Sequence, residues 1–199
     1  MYEDQGERPP RGRPARSRDE RRTLELTIAR EALRLFLLNG PSVTTVAQIA
    51  SASGVSLRTF WRHFRSKESA IRPFLDDALD DSITRMSQLT PGTTLSEGWA
   101  GESRLDDDAL GALVDLVRMV QYEPALRAVW LEAHHAAATA FVPLLARHLS
   151  LAPDGLEAQV ASAELNAALA TALEHYTLRN VEGLSLNETI RRAVRLAID

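Results

Sequence analysis

The sequence of 199 residues contains no cysteine. Disulfide bonds, thiolate nucleophiles and cysteine-ligated zinc are therefore excluded, and nothing in the chain requires an oxidising compartment. Long hydrophobic runs are also missing, because the longest, residues 136–146, contains Pro143 and is too short to span a bilayer. The N-terminus is polar and arginine-rich, without a signal-peptide pattern. We therefore expect a soluble, cytoplasmic protein that does not enter a membrane.

The motifs of common enzyme and metal sites are missing as well. The chain has no Gly-x-Ser-x-Gly, no phosphate-binding glycine-rich loop and no His-Glu-x-x-His. His134 and His135 are adjacent, but neighbouring helical side chains point about 100° apart, and no third ligand can be nominated. We therefore expect no enzyme, no metal site and no cofactor.

Charge is divided unevenly along the chain. Residues 1–67 carry 13 Lys and Arg against 7 Asp and Glu, or +6, whereas residues 68–199 carry 10 against 20, or −10. The overall net charge of −4 hides this split. A basic N-terminal module on an acidic body is typical of a DNA-binding protein whose body does not bind DNA.

The first 17 residues hold three prolines, two glycines and four arginines, and we predict a disordered basic arm. Within it Arg11, Gly12 and Arg13 resemble the core of an AT-hook, which lies in a narrow A/T minor groove. The alternative is an arm that only neutralises phosphates.

The stretch from Thr44 to Phe64 predicts two short helices joined by a tight turn. Thr45 and Gln48 form a capping-box pattern ahead of the first helix. Gly54 permits a positive φ between the helices, and Ser56 can cap the second. The second helix places Arg, Thr, Trp and His side chains on its outer face, as a DNA-reading helix does. The pattern is that of a helix-turn-helix.

From residue 27 to residue 70 the chain resembles the DNA-binding domain of TetR-family (tetracycline-repressor-like) transcriptional regulators. The matching residues are Ala29, Ala32, Leu35, Phe36, Gly40, Thr44, Thr45, Val46, Ile49, Ala50, Gly54, Val55, Ser56, Thr59, His63, Phe64, Ser66, Lys67 and Glu68. Two positions depart from the family: Pro41 and Ser42 follow Gly40, and Trp61 replaces the usual tyrosine. We expect Val43 to supply the apolar contact missing at the first departure.

The resemblance implies a function for Lys67, whose family counterpart binds a backbone phosphate. The outer face of the second helix is predicted to read a palindromic operator in double-stranded DNA. Arg58 is expected to be a base reader, because it lies in the first turn, where a guanidinium can pair with guanine O6 and N7. Together with the arm, the predicted DNA-contacting residues are Arg11, Gly12, Arg13, Thr45, Ser56, Leu57, Arg58, Thr59, Trp61, Arg62, His63 and Lys67.

Apolar residues at helical spacing continue to the end of the chain, and we predict an all-α fold. Helices are expected from a Ser17 cap to near Gly40 and from Ser66 to about Ser87. A loop should follow over residues 89–104, and Pro143 should kink or break a later helix. The last two helices, within residues 156–198, carry buried-type alanines and four-spaced apolar residues. They predict a homodimer through a four-helix bundle, as the family resemblance also implies.

The middle helices mix large rings with isolated polar groups, a composition typical of small-molecule cavities. On the family's implication that the effector cavity lies between these helices, the predicted ligand-binding residues are Met119, Tyr122, Trp130, His134, Phe141, His175 and Tyr176.

The sequence therefore predicts three parts: a disordered basic arm (1–17), a helix-turn-helix domain (18–66), and a helical effector-binding and dimerisation domain (67–199). We interpret the protein as a transcription regulator, a repressor released from its operator by a small molecule. The alternative is a ligand-independent architectural DNA-binding dimer, whose body would have a solid core rather than a cavity.

Overall fold

The computed structural model describes residues 17–90, 92–100, 105–179 and 183–199, and within these ranges the chain is helical without strands. The α-helices are α1 (Arg18–Asn39), α2 (Val46–Ala52), α3 (Leu57–His63), α4 (Arg72–Ser87), α5 (Asp107–Val120), α6 (Pro124–His148), α7 (Leu156–Arg179) and α8 (Leu186–Ala197). Two short 3-10 helices, Glu68–Ile71 and Leu95–Trp99, precede α4 and α5. The all-α prediction is confirmed.

Four helix starts lie where the capping patterns predict them. Ser17, Thr45 and Ser185 each form a complete capping box. The side chain of the capping residue accepts from the backbone N–H three residues later, and the Glu or Gln side chain at that later position accepts from the backbone N–H of the capping residue. Ser56 caps α3 by accepting from the N–H of Thr59 at 3.1 Å. These bonds join residues three apart, which is why sequence alone locates them.

The turn between α1 and α2 differs from expectation. Val43 is 67% exposed, so the prediction that it supplies the missing apolar contact is wrong, and Pro41 is buried instead. The cause is Thr44, which is buried and donates its hydroxyl to the carbonyls of Gly40 at 2.9 Å and Leu35 at 3.2 Å. This bonding folds the turn back on α1 and leaves Val43 facing solvent.

The helix predicted from Ser66 begins instead as the 3-10 helix Glu68–Ile71, and α4 starts at Arg72. Ser66 still acts as a cap, because its Oγ accepts from the N–H of Ser69 at 3.1 Å. The predicted end of α4 near Ser87 is confirmed.

The predicted loop of residues 89–104 contains the second 3-10 helix, which buries Leu95 and Trp99. Its N-terminus is capped by a residue that is distant in the sequence. The Asp199 carboxylate accepts from the backbone N–H groups of Leu95 at 3.0 Å and Ser96 at 3.1 Å. A carboxylate at a helix N-terminus satisfies unpaired N–H groups there. This segment is therefore part of the folded body.

Helix α6 runs through Pro143 without interruption. Proline cannot donate to the carbonyl four residues earlier, which belongs to Thr139. Both Pro143 and Thr139 are exposed, so water can reach the freed carbonyl. Phe141 and Leu145, buried on the opposite face, hold the helix on both sides of the proline.

Within the described residues the core consists of two apolar clusters. The first joins α1, α2, α3 and the start of α4 to α5 and the first half of α6, including Trp130. The second joins the end of α4, the 3-10 helix Leu95–Trp99, the second half of α6, α7 and α8. The predicted domain boundary at residue 66 therefore falls inside the first cluster, and α4 belongs to both. The helix-turn-helix therefore packs directly against α5 and α6.

Candidate functional site

The outer face of α3 is the candidate nucleic-acid interface. Phe60 is fully buried beneath it and Phe64 is nearly so, which fixes the helix against α1 and α2. On the opposite side Arg58 and Arg62 are exposed, Leu57 is 48% exposed and Trp61 is 52% exposed. Within the described residues neither arginine forms an ion pair. The structure thus brings two guanidinium groups and an indole together on one open helix face.

His63 is not on that face, which corrects its prediction as a DNA-contacting residue. Its side chain is only 5% exposed, and Nδ1 lies 2.7 Å from Oε1 of Glu25 on α1. Helical geometry turns position 63 toward α1 when Phe60 points inward, because residues three apart share a face. His63 therefore docks α3 on α1.

Lys67 is the single lysine of the chain. Its Nζ donates to the carbonyls of Pro41 at 2.5 Å and Thr44 at 2.8 Å, with Ser42 at 3.4 Å. These are the carbonyls of the turn between α1 and α2, which lies next to α3. The ammonium thus joins the segment after α3 to this turn, and a phosphate would have to compete with three carbonyl oxygens for it.

The remaining predicted DNA contacts divide into two groups. Thr45, Ser56 and Thr59 take part in helix capping, with the hydroxyls of Ser56 and Thr59 3.0 Å apart. Arg11, Gly12 and Arg13 lie outside the described residues.

A cavity of about 100 Å³ lies in the body between α4, α6, α7 and α8. Three of the predicted ligand-binding residues, Trp130, His134 and Phe141, line it. Rings from Trp99 and Phe141 and aliphatic side chains from α4 and α8 give walls that are mostly apolar, as small-molecule sites require.

Four predicted ligand-binding residues lie elsewhere. Met119 packs against the first cluster, Tyr122 is 82% exposed, and His175 is exposed on α7. Tyr176 faces an open groove between α5 and α7. The cavity follows the inner face of α7 through Asn166, Leu169 and Leu173, and residues 175 and 176 are rotated away from it.

Trp99 and Asn166 line the cavity and were missed. Trp99 was assigned to a loop. The signal for Asn166 was available, since an amide between apolar positions of a long Ala-rich helix marks a polar group inside a core.

His134 and Asn166 form a hydrogen-bonded pair in the cavity wall. His134 Nδ1 lies 2.9 Å from Oδ1 of Asn166, and the imidazole packs edge-on against Trp130 with ring centroids 4.3 Å apart. Burial lowers the pKa of His134 below its ordinary value, and this effect exceeds the opposing influence of Asn166 and Glu174. Burial therefore favours the neutral form of the imidazole.

Two carboxylates at the cavity are already paired. Asp81 accepts from Arg85 Nε at 2.7 Å, and both side chains are less than 10% exposed. Asp76 accepts from Arg72 Nε at 2.7 Å. Both acidic residues line the cavity, and among its described lining residues there is no Lys or Arg.

Comparison with known proteins identifies the DNA-binding unit. Residues 28–69, from the middle of α1 to the 3-10 helix before α4, match the model of the bacterial regulatory proteins of the tetR family. The regulator TcmR of Streptomyces glaucescens, an HTH-type transcriptional regulator, is 39% identical across 61% of this chain and 58% of its own length. Residues 28–69 are thus similar to the DNA-binding domain of tetR-family regulators.

Solved structures of TetR-family proteins share the fold over most of the chain. A Syntrophomonas wolfei protein described as a TetR-family transcriptional regulator is 16% identical, with a TM-score of 0.60 over 91% of this chain and 94% of its own. FadR of Thermus thermophilus, solved with lauroyl-CoA, is 20% identical, with a TM-score of 0.53 over 87% of this chain and 92% of its own. At these identities the likeness concerns the fold. The chain spans about 58% of the length of the curated relative TcmR.

Helix α4 contacts both the cavity and the DNA-binding unit. Leu75, Ala78 and Leu79 line the cavity on one side of α4. On its other side Asp77 and Asp80 both form ion pairs with Arg22 of α1, the Asp80 oxygen at 2.8 Å from the guanidinium. Helix α4 therefore joins the cavity wall to α1 through direct side-chain contacts. In the described residues, no helix is long and apolar enough to cross a membrane.

The alanines expected at a dimer interface are inside the chain. Ala158, Ala161, Ala168 and Ala172 are buried where α7 packs on its neighbours within one chain. Val194 is fully buried within the chain, whereas Ile190 is partly buried and lines the cavity. Leu156 at 71%, Val160 at 46% and Leu178 at 42% exposed lie at helical spacing on the open face of α7. Ala163 and Ala167, also exposed, complete this outer face.

Proposed function

We propose that this protein is a sequence-specific transcription regulator that binds a palindromic operator as a homodimer and is released from it by a small molecule. The observation that carries the proposal is the exposed face of α3. The buried side chains of Phe60 and His63 hold this helix against its neighbours, and Arg58, Trp61 and Arg62 are exposed on its opposite side. Guanidinium groups on an exposed helix suit guanine edges and phosphates in a major groove.

Arg58 is assigned as the base reader because it lies in the first turn of α3, the part of a recognition helix that approaches base edges. We expect Arg58→Ala to weaken operator binding by about 1–3 kcal/mol and to relax preference at one base pair per half-site. Arg147→Ala is the matched control, since it removes the same charge from an exposed position on α6.

The measurement is binding of both variants to duplexes varied one base pair at a time, at fixed salt. Uniform loss across all duplexes for Arg58→Ala would assign this residue to phosphate contact, and loss equal to that of Arg147→Ala would remove α3 from the interface. Sequence-independent binding by the wild type would favour the architectural alternative.

Dimerisation is assigned to the outer face of α7, because its apolar side chains remain 42–71% exposed in the single chain. A carboxylate placed in an apolar interface costs several kcal/mol, enough to overcome many dimer affinities. We expect Val160→Asp to give folded monomers in sedimentation. Leu131→Asp, at a 60% exposed position of α6, should remain dimeric. A dimeric Val160→Asp variant would place the interface elsewhere.

Release by a small molecule is supported by the position of the cavity. At about 100 Å³ it is smaller than common ligand sites, which occupy about 300–1,000 Å³. A larger ligand must therefore move the lining helices, α4 among them. Such a ligand lowers operator affinity only by as much as it prefers the moved state. A solid core would have favoured the architectural alternative.

A further inference from the structure

The polar atoms of the cavity restrict the chemistry of its ligand. The aromatic side chains of Trp99, Trp130 and Phe141 supply flat apolar walls. Against them stand the imidazole of His134 and the amide of Asn166, 2.9 Å apart. Polar groups set in an apolar cavity fix the orientation and identity of what binds there.

The bond between these two residues sets the tautomer of His134. The oxygen of an amide only accepts, so the proton of the pair lies on Nδ1 of the imidazole. In a neutral imidazole the other nitrogen, Nε2, is then an acceptor. His134, whose side chain lines the cavity, therefore carries a hydrogen-bond acceptor at Nε2.

The charged groups argue against an ionic ligand. An anion would meet the carboxylates of Asp76 and Asp81, with no Lys or Arg among the described lining residues. A cation would have to displace Arg72 or Arg85, each bonded to its carboxylate at 2.7 Å. An uncharged molecule avoids both costs.

We propose that the ligand of this cavity is an uncharged, ring-containing molecule with a hydroxyl or N–H group that donates to Nε2 of His134. That this ligand acts as the effector rests on the proposed function. Its binding chemistry does not, and can be measured on the full chain without DNA.

Four para-substituted toluenes separate the possible chemistries: p-cresol carries a donor, 4-methylanisole only an acceptor, p-xylene neither and p-toluate a negative charge. A benzene-sized ring enters an engineered apolar cavity of about 150 Å³, so single rings are near the size that this one admits. Calorimetric titration of the wild type should give p-cresol the highest affinity. A buried acceptor left unpaired weakens binding about 5- to 100-fold, which is the advantage expected over p-xylene.

The decisive variant is His134→Leu, which removes the acceptor and keeps an apolar side chain of similar reach. The preference for p-cresol over p-xylene should fall to about twofold or less, with p-xylene binding retained. His135→Leu, at the exposed neighbouring position, should keep the wild-type ratio. If His134→Leu does not fold, the wild-type ranking alone still decides.

Three results would overturn the proposal: preference for 4-methylanisole or p-toluate, an unchanged ratio in His134→Leu, or no binding of any of the four probes at millimolar concentration. A ligand that binds as described but leaves operator binding unchanged would contradict effector release and leave the recognition chemistry standing.

Discussion

Lys67 gives the sharpest test of how the helix-turn-helix is held together. Its ammonium donates to Pro41 and Thr44 at 2.5 and 2.8 Å, and the third carbonyl, at 3.4 Å, adds little. A hydrogen bond to a charged group contributes about 1.5–3 kcal/mol, so the two short bonds have an upper limit of about 3–6 kcal/mol. The side chain is 22% exposed and the turn lies at the surface, so water replaces part of this. We expect Lys67→Met to lower the free energy of unfolding by about 2 kcal/mol.

The assay is urea unfolding followed by far-UV circular dichroism, together with operator binding over a series of salt concentrations. If Lys67 holds the turn, Lys67→Met loses stability and DNA affinity, but the slope of log K against log salt changes little. A phosphate contact has the opposite signature, because losing one such contact lowers the slope by about 0.9. A Lys67→Met protein with wild-type stability and a slope reduced by about one would therefore refute the structural role. Lys67→Arg, which keeps the charge and changes the geometry, is the control.

The α1–α4 ion pairs and the cavity histidine give two further predictions. Burial raises the pKa of Asp77 despite the opposing effect of the adjacent Arg22, so Arg22→Met leaves a half-buried carboxylate unpaired. Adding Asp77→Asn to the Arg22→Met variant should recover most of the lost stability. A double-mutant cycle measured by urea unfolding should give a coupling energy of about 0.5–1 kcal/mol between these two residues, and additive losses would exclude that coupling. Burial lowers the folded-state pKa of His134 below its unfolded value of 6.5. Between these two pKa values the unfolded chain binds more protons than the folded chain, so the free energy of unfolding decreases as the pH falls from 6.5 toward the folded-state pKa. His134→Gln should flatten this loss between about pH 7.5 and 5.5, His135→Gln should not, and equal slopes in all three proteins would contradict the assignment.

The sequence predicted the helix-turn-helix well because its signals are local. The capping box of Thr45 and Gln48 and the positive φ of 65° at Gly54 both depend on residues within a few positions. His63 could not be placed in the same way, because its direction is settled by Glu25, which lies 38 residues earlier on another helix. In a helix of only seven residues, the sequence pattern allows such a side chain to be assigned either to the buried face or to the exposed face.

The body was predicted in outline and misassigned in detail for the same reason. Apolar residues spaced four apart on α8 correctly predicted a buried face. Periodicity does not say which neighbour covers that face, and in the structure Val194 is buried within its own chain. The sequence predicts a loop around Leu95–Trp99 because Pro91, Gly92, Gly98 and Gly101 lie within or beside this segment. Thr94 and Glu97 do form a local capping box, but the carboxylate that completes this helix end comes from Asp199, more than one hundred residues later.

The three tryptophans of the chain are distributed so that each candidate site carries its own optical probe. Trp61 is half-exposed on the α3 face, whereas Trp99 and Trp130 are buried in the cavity wall. Solvent-exposed indole emits at longer wavelengths than buried indole, so DNA docking and cavity occupancy act on different parts of one emission spectrum. A Trp61→Phe protein would report on the cavity alone, and binding at the two sites can then be followed in a single titration without attaching a dye.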